Sequence, residues 1–513
     1  MAFESFRKFL DKLEGQDELK RVSQQLATEL EITAAANIEM KKPGGGKALL
    51  IEKPTVNGEQ SPFPVAINTM GSWNRMAIAL NVDSVDSVAK ELDGILKIKP
   101  PVDFKEAIKL FTNLLSLRNC KPKFVKDGLC KEVVHKFDPQ PRRTEPWQKA
   151  PSIPELEKLN EAGNFPTLLN IPILKCWQLD AGRFITLPCV VTKDPDTGER
   201  NVGMYRMQVY DSQTTGMHWQ MQKVGARHGR TYFEKGERMP VSVFLGGDPV
   251  FPFCASAPLP DGMDEYLLAG FLRKKPVELV KCETNDIEVP ANADFVIEGY
   301  IDPQEPLREE GPFGDHTGFY TMPEPYPVFH ITAITHRKDA VYPATIVGKP
   351  PMEDFYLGNA SLKIFLPVLK MTFPELVDIA LPAEGVFHNL LFASIKKTYP
   401  MQAYKIMYGL WGMGQMMFTK YIVIVDDDVD VNNTSEVLFK LCSNTDPQRD
   451  CVFTKGPADV LDHATDIIGV GTKLGIDATR KLQGEGFKRS WPPEIKMKRE
   501  LIEKVIRILE GKR

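Results

Sequence analysis

The strongest constraint on the fold of this chain is a change in its hydrophobic pattern. From residue 165 to about 345 the apolar runs are short and β-rich, and Gly, Pro and Asp interrupt them every ten to twenty residues. Such spacing is typical of a barrel or a sandwich. Before and after this stretch, strand-like runs alternate with segments of helical period, which indicates α/β units, the second of them with a parallel sheet. The sequence therefore predicts a mixed α/β protein with a β-rich centre.

The chain has 513 residues, which is too long for one ordinary core because domains usually contain ~100–200 residues. The changes in pattern divide it into an N-terminal α/β domain (1–120), a central β-rich domain (121–345) and a C-terminal α/β domain (346–513). The last segment, KMKRELIEKVIRILEGKR, has its apolar residues on one helical face. We expect this terminal helix to pack on a neighbouring subunit.

Several elements can be placed from the pattern alone. In the first domain, helices are predicted at 3–14 and 84–97 and strands at 47–53 and 64–68. In the last domain, LLFASIKK and YIVIV are predicted to be strands, and MQAYKIMYGLWGMGQ and SEVLFKLCSN are predicted to be helices.

Composition and charge exclude several classes of protein. Lys and Arg number 64 against 68 Asp and Glu, so the formal net charge is −4 and no long-range field would recruit nucleic acid or an anionic membrane. No apolar run approaches the ~20 residues of an integral membrane segment, and the acids interleaved in MAFESFRKFLDKLEG argue against a secretory signal. The 8 cysteines are scattered without a CxxC pair, so we expect reduced thiols in a cytoplasmic protein.

The segment EGPFGDHTGFY (310–320) concentrates titratable groups in a tight loop, since it repeats with neither helical nor strand period. Glu310 and Asp315 lie in it beside three glycines and a proline. Such a pair can place one acid and one base around a single substrate when their environments separate the two pKa values, and an arginine is the natural partner that keeps one of them ionised. From spacing alone, a salt-bridged turn is an equally good alternative.

Two further segments have simpler explanations. VDDDVDV (425–431) follows a strand-like run, and its carboxylates could hold Mg²⁺ over a phosphate, but we favour a strand end followed by a capped helix. GVGTKLG (469–475) is similar to a phosphate loop without matching GxGxxG or a Walker A motif, so a turn is expected. The 8 histidines show neither HExxH nor HxH spacing, which argues against a hydrolytic zinc site.

The order of several motifs makes a family resemblance specific. The chain contains ERNVGMYRMQVY (199–210), PLPDGMDEYLLAG (258–270), VKCETNDIEVPANA (280–293), EGPFGDHTGFY (310–320), GKPPMED (348–354) and VDDDVDV (425–431). Together they closely resemble the UbiD family of decarboxylases, and the resemblance extends from the first helix to about residue 495. It implies reversible non-oxidative decarboxylation of an aromatic or α,β-unsaturated acid with prenylated FMN, which a partner flavin prenyltransferase makes.

The resemblance also implies how the cofactor is held. In the family a divalent cation, commonly Mn²⁺, joins the flavin phosphate to the protein, with K⁺ alongside. By matching, Asn201 and Glu265 would be ligands of this cation, and His218 is the best candidate for the third. A hard cation with oxygen ligands over a phosphate is chemically reasonable. Further flavin contacts implied in the same way are Met204, Tyr205, Arg206, His218, Trp219, Gln220, Lys223, Val224 and Lys405.

Loss of CO₂ from an sp² carbon requires an electron sink, which the flavin supplies, and a proton from the protein. By the resemblance, Arg206, Glu310 and Asp315 form the Glu–Arg–acid network of the family, and Arg206 would hold an ionised partner and the substrate carboxylate. Whether Glu310 or Asp315 donates the proton stays open, and His316 is expected to be a supporting loop residue. Asp315, together with the match in IDATRKLQGEG, places the chain nearer the ubiquinone-biosynthesis branch, whose substrates are polyprenylated hydroxybenzoates.

The resemblance completes the expected architecture as a central split β-barrel that carries the flavin between the two α/β domains, assembled as a homodimer or homohexamer. The expected partners are a small aromatic carboxylic acid and the flavin prenyltransferase, in the cytoplasm or, for a polyprenylated substrate, at the periphery of a membrane. A different aromatic or α,β-unsaturated acid stays open as the substrate. So do two other functions, a plain FMN-dependent oxidoreductase on a split barrel and a non-catalytic assembly protein. The last would lack one of the matched polar residues, whereas the chain contains Asn201, Arg206, Glu265, Glu310 and Asp315.

Overall fold

Helices and strands alternate along the chain in this computed structural model, which describes residues 2–97, 120–137, 167–386 and 388–510. Within these ranges the α-helices are Phe6–Gly15, Glu31–Met40, Trp73–Leu80, Val85–Leu96, Val224–Lys235, Val250–Ser256, Glu265–Arg273, Glu353–Thr372, Gln402–Trp411, Thr434–Asn444, Pro447–Asp450 and Arg499–Leu509. Single 3₁₀ turns are Pro43–Gly45, Leu129–Lys131 and Ala383–Gly385, and a longer 3₁₀ segment is Gly414–Phe418. The mixed α/β class that the sequence predicts is confirmed.

The strands fall into three groups along the chain. The first are Leu19–Ala27, Ala48–Val56, Glu59–Gln60 and Val65–Ile67. The second are Lys123–Val125, Val133–Lys136, Phe184–Ile185, Cys189–Lys193, Arg200–Gly203, Met207–Gln208, Thr214–Gly216, Met239–Leu245, Glu278–Lys281, Glu288–Pro290, Phe295–Ile301, Arg308–Glu310, Phe313–Gly314, Tyr320–Thr321, Glu324–Tyr326, Val328–His336 and Tyr342–Ala344. The third are Leu376–Ala380, Leu390–Ile395, Tyr421–Asp426, Cys451–Pro457 and Val470–Asp477.

The first helix shows how the local sequence sets its boundaries. Ser5 accepts a hydrogen bond from the Lys8 amide at 3.2 Å and caps the helix Phe6–Gly15. Its apolar face, which includes Phe9 and Leu13, is fully buried. The helix predicted at 3–14 is therefore confirmed, with a later start, because the capping serine fixes the first turn.

The N-terminal sheet combines early strands with one from much later in the chain. Ala48–Val56 pairs in parallel with Leu19–Ala27 and antiparallel with Val65–Ile67. Val65–Ile67 then pairs in parallel with Tyr342–Ala344. The two strands predicted in this region are confirmed, but the sequence pattern gives no sign that Tyr342–Ala344 completes their sheet.

The central sheet has seven strands, and every pairing in it is antiparallel. Its order is Thr214–Gly216, Val328–His336, Phe295–Ile301, Met239–Leu245, Cys189–Lys193 and Arg200–Gly203, with Val133–Lys136 also paired to Val328–His336. Among the described strands no pairing joins the first of this order to the last, so the sheet is open. Its end strand Arg200–Gly203 carries Asn201, one of the polar residues expected at the cofactor.

The C-terminal sheet is parallel only in its middle. Leu390–Ile395, Tyr421–Asp426 and Val470–Asp477 run in parallel, as the αβ alternation predicts. The edge strands Leu376–Ala380 and Cys451–Pro457 are antiparallel to their neighbours. The sheet is therefore mixed rather than wholly parallel, which is common when hairpins close the edges of an α/β sheet.

The N-terminal and central regions share their hydrophobic cores. One core joins Phe9 of the first helix to Phe251 and Tyr266 of the central helices. A second lies on the other side of the N-terminal sheet, where the ring of Phe63 meets that of Phe295 edge-on at 4.9 Å. The C-terminal sheet has cores of its own. The domain limits at residues 120 and 345 stay predictions.

The segment GVGTKLG corrects the sequence analysis. It forms most of the strand Val470–Asp477 rather than a turn, because both neighbouring strands pair with it. A Cβ on Gly475 would lie 2.2 Å from the sulfur of Met407, so this glycine permits a close approach within a strand. Glycine spacing alone does not separate that role from a turn.

The acidic segment VDDDVDV has the structural role that the sequence analysis favours. It ends the strand Tyr421–Asp426, and Asn433 then caps the helix Thr434–Asn444 by accepting from the Glu436 amide at 3.3 Å. Arg480 donates to Asp426 at 3.0 Å. These acids are held by local structure.

No helix in the described part of the chain is long and apolar enough to cross a membrane. The terminal helix Arg499–Leu509 is exposed on every side, including Leu501, Val505 and Leu509. Its packing on a neighbouring subunit stays a prediction.

Candidate active site

Two nested hairpins shape the segment EGPFGDHTGFY. The outer one pairs Arg308–Glu310 with Glu324–Tyr326, and the inner one pairs Phe313–Gly314 with Tyr320–Thr321. Gly311 turns the chain between them with φ at +97°, a value that residues with a Cβ rarely adopt. The tight loop that the sequence predicts is confirmed.

The inner hairpin is fixed to the preceding chain at Gly314. Its N–H donates to Asp180 Oδ1 at 2.7 Å, and Asp180 also accepts from the Trp177 amide at 2.8 Å. A Cβ on Gly314 would lie 2.2 Å from the ring of Trp177, so only glycine permits this close packing. The contact sets the position of Asp315, the next residue along the chain.

Arg206 bridges the two carboxylates of the loop. Its Nε donates to Glu310 Oε1 at 3.1 Å, and its Nη2 lies 3.0 Å from the same oxygen. Its Nη1 donates to Asp315 Oδ2, and its Nη2 also donates to Thr321 Oγ1 at 3.2 Å. The guanidinium lies over the ring of Phe313 at 4.6 Å. All three charged side chains that the sequence analysis named for catalysis thus meet in one buried cluster.

The charges of this cluster hold one another ionised. Burial raises the pKa of Glu310 and of Asp315, but Arg206 together with His218 for Glu310, and together with His316 for Asp315, more than offsets it, so both pKa values lie below their ordinary values. Burial lowers the pKa of Arg206, and the two carboxylates raise it above its ordinary value. Before substrate binds, the cluster is therefore one cation between two anions.

His218 extends the cluster from Glu310. Its Nδ1 lies 2.6 Å from Glu310 Oε2, and its ring packs on that of Tyr326 at 4.4 Å. Its Nε2 is buried and has no hydrogen-bond partner among the described residues. Such an atom normally faces a ligand or water. The structure brings His218 to Glu310, and its role as a metal ligand stays a prediction.

Asn201 and Glu265 lie together at the end of the central sheet. Glu265 begins the helix Glu265–Arg273, and its Oε2 accepts from the amide of Val202 at 2.8 Å. Burial raises the pKa of Glu265 to about 7. Asn201 Nδ2 lies 3.5 Å from the hydroxyl of Tyr205. A half-buried carboxylate beside an amide is an oxygen-rich pair that suits a hard cation.

Tyr205 and Trp219 form one wall beside this pair. The Tyr205 hydroxyl accepts from the amide of Gly225 at 3.3 Å, and the two rings meet edge-on at 6.5 Å. The Trp219 Nε1 is buried without a partner in the described ranges. Lys223 and Val224 occupy the N-terminus of the helix Val224–Lys235, whose free amides favour an anion.

The remaining expected cofactor residues differ in their surroundings. Met204 packs against the first hydrophobic core, and the Gln220 side chain accepts from Gln222 at 3.0 Å. Lys405 lies on the helix Gln402–Trp411, and its Nζ is 2.6 Å from Glu375 Oε1. The structure thus pairs Lys405 with Glu375 and shows no contact between it and the Arg206 cluster. A contact between Lys405 and the flavin phosphate stays a prediction.

The structure adds residues that the sequence analysis did not single out. His316 Nδ1 lies 2.8 Å from Asp315 Oδ1, and its Nε2 lies 2.7 Å from His388 Nε2. Asp459 Oδ2 lies 3.9 Å from the same nitrogen of His388. His388 and Asp459 belong to the C-terminal region and carry no recognisable spacing with the loop, so only the tertiary structure reveals them.

Comparison with known families identifies the chain over most of its length. Models of 3-octaprenyl-4-hydroxybenzoate carboxy-lyase match three parts of it: the N-terminal domain over residues 10–93, the Rift-related domain over 149–350 and the C-terminal domain over 355–478. The chain belongs to the UbiD family of carboxy-lyases. The motifs that suggest this family are thus supported over most of the sequence.

Relatives of this UbiD family carboxy-lyase extend over its whole length. An uncharacterized protein of Archaeoglobus fulgidus is 47% identical over 507 residues and covers 98% of each chain. Among solved structures, the closed form of vanillic acid decarboxylase from Sedimentibacter hydroxybenzoicus superposes with a TM-score of 0.80 at 26% identity, over 99% of this chain and all of that one. The UbiD-class enzyme HmfF from Pelotomaculum thermopropionicum, in complex with FMN, gives 0.73 at 26% identity over 95% and 97%. An evolved dimeric form of HmfF was solved in complex with prFMN.

Proposed function

We propose that this carboxy-lyase removes CO₂ from an aromatic acid of the hydroxybenzoate type with the help of prenylated FMN. The single observation that supports this most is the buried bridge from Arg206 to Glu310 and Asp315. The solved relatives include a decarboxylase of vanillic acid and an enzyme in complex with prFMN. A polyprenylated hydroxybenzoate, a smaller phenolic acid and another unsaturated acid are the substrates to compare.

The residues present fit a flavin whose phosphate is joined to the protein by a cation. His218 Nε2 and Trp219 Nε1 are buried polar atoms without partners in the described chain, and they offer hydrogen bonds to such a ligand. Asn201 and Glu265 would hold Mn²⁺ at the phosphate, because both offer oxygen atoms to a hard cation. A K⁺ ion alongside this cation is a further part of the proposal. When bound, prenylated FMN supplies the electron sink that loss of CO₂ requires.

Arg206 orients the substrate. Its planar guanidinium can bind the substrate carboxylate through paired N–H groups, and burial strengthens the attraction by excluding water. A third negative charge beside Glu310 and Asp315 raises the pKa of both carboxyls. One of them then takes up a proton, which it can deliver to the ring carbon after CO₂ has left.

Glu310 and Asp315 are the two candidates for that proton. Glu310 also accepts from His218, and Asp315 from His316, so each has an imidazole through which its proton could be replaced. Separate Glu310→Gln and Asp315→Asn variants with cofactor bound distinguish them. The donor variant loses exchange of the ring proton with solvent deuterium in the product, while the other variant retains it.

The decisive experiment is the mass and the anaerobic absorbance spectrum of the ligand released from protein that was co-produced with a flavin prenyltransferase. FMN plus a five-carbon unit, with one Mn²⁺ per chain and CO₂ release from a hydroxybenzoate, supports the proposal. Unmodified FMN with NADH-dependent reduction would instead support an oxidoreductase. Glu265→Ala should lose metal and flavin together, and tight retention of both would contradict the phosphate bridge.

The partners and the location follow from the same proposal. The cofactor supplier is a flavin prenyltransferase, and the substrate is a small aromatic acid. The exposed apolar face of the helix Arg499–Leu509 supports a homodimer or homohexamer. For this enzyme to act in ubiquinone biosynthesis, whether in the cytoplasm or at a membrane surface, it must turn over a polyprenylated substrate.

A further inference from the structure

A second group of metal-ligating side chains lies beside the Arg206 cluster and is separate from the pair Asn201 and Glu265. It consists of His316, His388 and Asp459, whose ligand atoms all lie within 4.8 Å of one another. His316 belongs to the loop 310–320, whereas the other two belong to the C-terminal region. We propose that these three residues bind one zinc ion, which joins the two regions across the active site.

The geometry suits zinc after a small movement. The Nε2 atoms of His316 and His388 are 2.7 Å apart, and His388 Nε2 is 3.9 Å from Asp459 Oδ2. Zinc binds imidazole nitrogen and carboxylate oxygen at about 2.0–2.2 Å with tetrahedral angles, which separates its ligand atoms by roughly 3.3 Å. The two imidazoles would part by about half an ångström and Asp459 would approach by a similar amount.

The residue next to the ligands supports a metal role for His316. Asp315 Oδ1 lies 2.8 Å from His316 Nδ1, so Nδ1 carries a proton. The 2.7 Å contact between the two Nε2 atoms shares a second proton, which a cation bound there would displace. A carboxylate on the far nitrogen is the usual support of a histidine ligand and increases its basicity. The catalytic loop therefore already orients the ring of His316 with Nε2 toward the other two ligands.

A further carboxylate faces the same histidine. Asp354 interacts electrostatically with His316, and its Oδ2 is buried without a hydrogen-bond partner in the described part of the chain. A buried carboxylate oxygen without a donor is costly, and a cation beside His316 would offset that cost. Of the nearby cations, Lys420 lies 2.5 Å from Asp462, and Lys223 interacts with Asp459. Lys223 thus interacts with one of the three proposed ligands, and Lys41 interacts with Asp354.

A site with three protein ligands leaves one position for another oxygen. Zinc sites of this kind bind water or a substrate atom in the fourth position. The site rests against Asp315, so a ring hydroxyl or phenolate oxygen of the substrate is the chemical class that fits there. This part of the inference rests on the proposed function, whereas binding of the metal itself does not.

The test is a titration of the full-length protein with Co²⁺ after treatment with a chelator and without added flavin. Wild type should bind Co²⁺ with the visible ligand-field bands of a tetrahedral site. His388→Ala should weaken this binding at least 100-fold, and Asp459→Asn at least 10-fold. His463→Ala is the matched control, because His463 stacks on Phe319 at 4.0 Å beside the site and is not one of the three ligands.

The result of this cobalt titration can be distinguished from the result of the flavin experiment. Glu265→Ala removes the expected phosphate cation and should leave the tetrahedral cobalt bands in place, whether or not the protein decarboxylates. Circular dichroism checks that each variant is folded. If His388→Ala does not fold, Asp459→Asn alone tests the site. Equal Co²⁺ binding by wild type and both ligand variants, or no tetrahedral cobalt in wild type, would overturn the inference.

Discussion

At the scale of single residues, the candidate active site holds one cation between two anions. Arg206 reaches residues that are 104 and 109 positions away in the sequence, and its planar fork allows both bonds at once. The arrangement keeps both carboxyls ionised until another anion competes for the guanidinium. Two predictions follow from this competition.

We expect Arg206→Lys to lower the rate of decarboxylation by about 10²-fold or more, because a single ammonium cannot hold two carboxylates and the substrate in one plane. Bound flavin should be retained, since the charge is kept. The measurement is CO₂ release from whichever hydroxybenzoate the wild type turns over. Arg227→Lys is the control, because Arg227 is exposed and pairs only with Asp261 among the described carboxylates.

We expect a substrate to bind together with a proton. Arg206 and His218 hold the pKa of Glu310 below its ordinary value despite burial, and a substrate carboxylate at Arg206 raises it again. Calorimetry of 4-hydroxybenzoate binding to flavin-free protein, in two buffers of different ionisation enthalpy, measures the uptake. The uptake should be largest at a pH between the lowered pKa of Glu310 in the free protein and its raised pKa in the complex, and it should decline at higher pH. If the Glu310→Gln variant takes up as many protons as the wild type, the proton binds to a different group.

At the scale of elements, the nested hairpins of residues 308–326 position the two carboxylates. Asp180 and Trp177 hold the inner hairpin from outside, and the Trp177 Nε1 is itself fixed by donating to the carbonyl of Val347 at 2.9 Å. Contacts with distant parts of the chain therefore position the loop, and Gly314 is required by one of them.

Gly314→Ala should disturb this packing, since the added Cβ would meet the fixed ring of Trp177. We expect a loss of about 1–3 kcal/mol in the free energy of unfolding and a lower rate of decarboxylation, because Asp315 follows directly. Urea unfolding and steady-state kinetics measure the two effects. Gly94→Ala is the matched control: no atom lies within 4 Å of its Cβ, and in a helix it should stabilise the protein by up to about 1 kcal/mol.

At the scale of the whole molecule, the active site lies between the central sheet and a C-terminal region with its own cores. The ring of His463 on Phe319 and the contact of His388 with His316 connect the two regions there. A catalytic site between separately packed regions can exclude water when they meet and release product when they part.

The terminal helix gives a prediction about assembly. Its apolar residues are exposed, with Leu501 at 45% and Val505 at 42%, although apolar helical faces are normally covered. Leu501→Glu combined with Val505→Glu should convert the oligomer into a smaller species, measured by light scattering after size exclusion. Phe453→Glu, an exposed apolar residue on another element, should leave the mass unchanged. An unchanged mass in the double variant would exclude this helix as the interface.

The sequence by itself determined the kinds of element and the family. Strand and helix patterns are local, so the first helix, the strands beside it and the glycine-rich loop could be predicted from neighbouring residues, and the ordered motifs indicated the UbiD family. Tertiary structure alone decided that Tyr342–Ala344 joins the N-terminal sheet, that GVGTKLG is a strand, and that His388 meets His316 from 72 positions away. These features depend on pairing and packing between distant segments, which no local pattern records, because partners far apart in sequence are chosen by the fold as a whole.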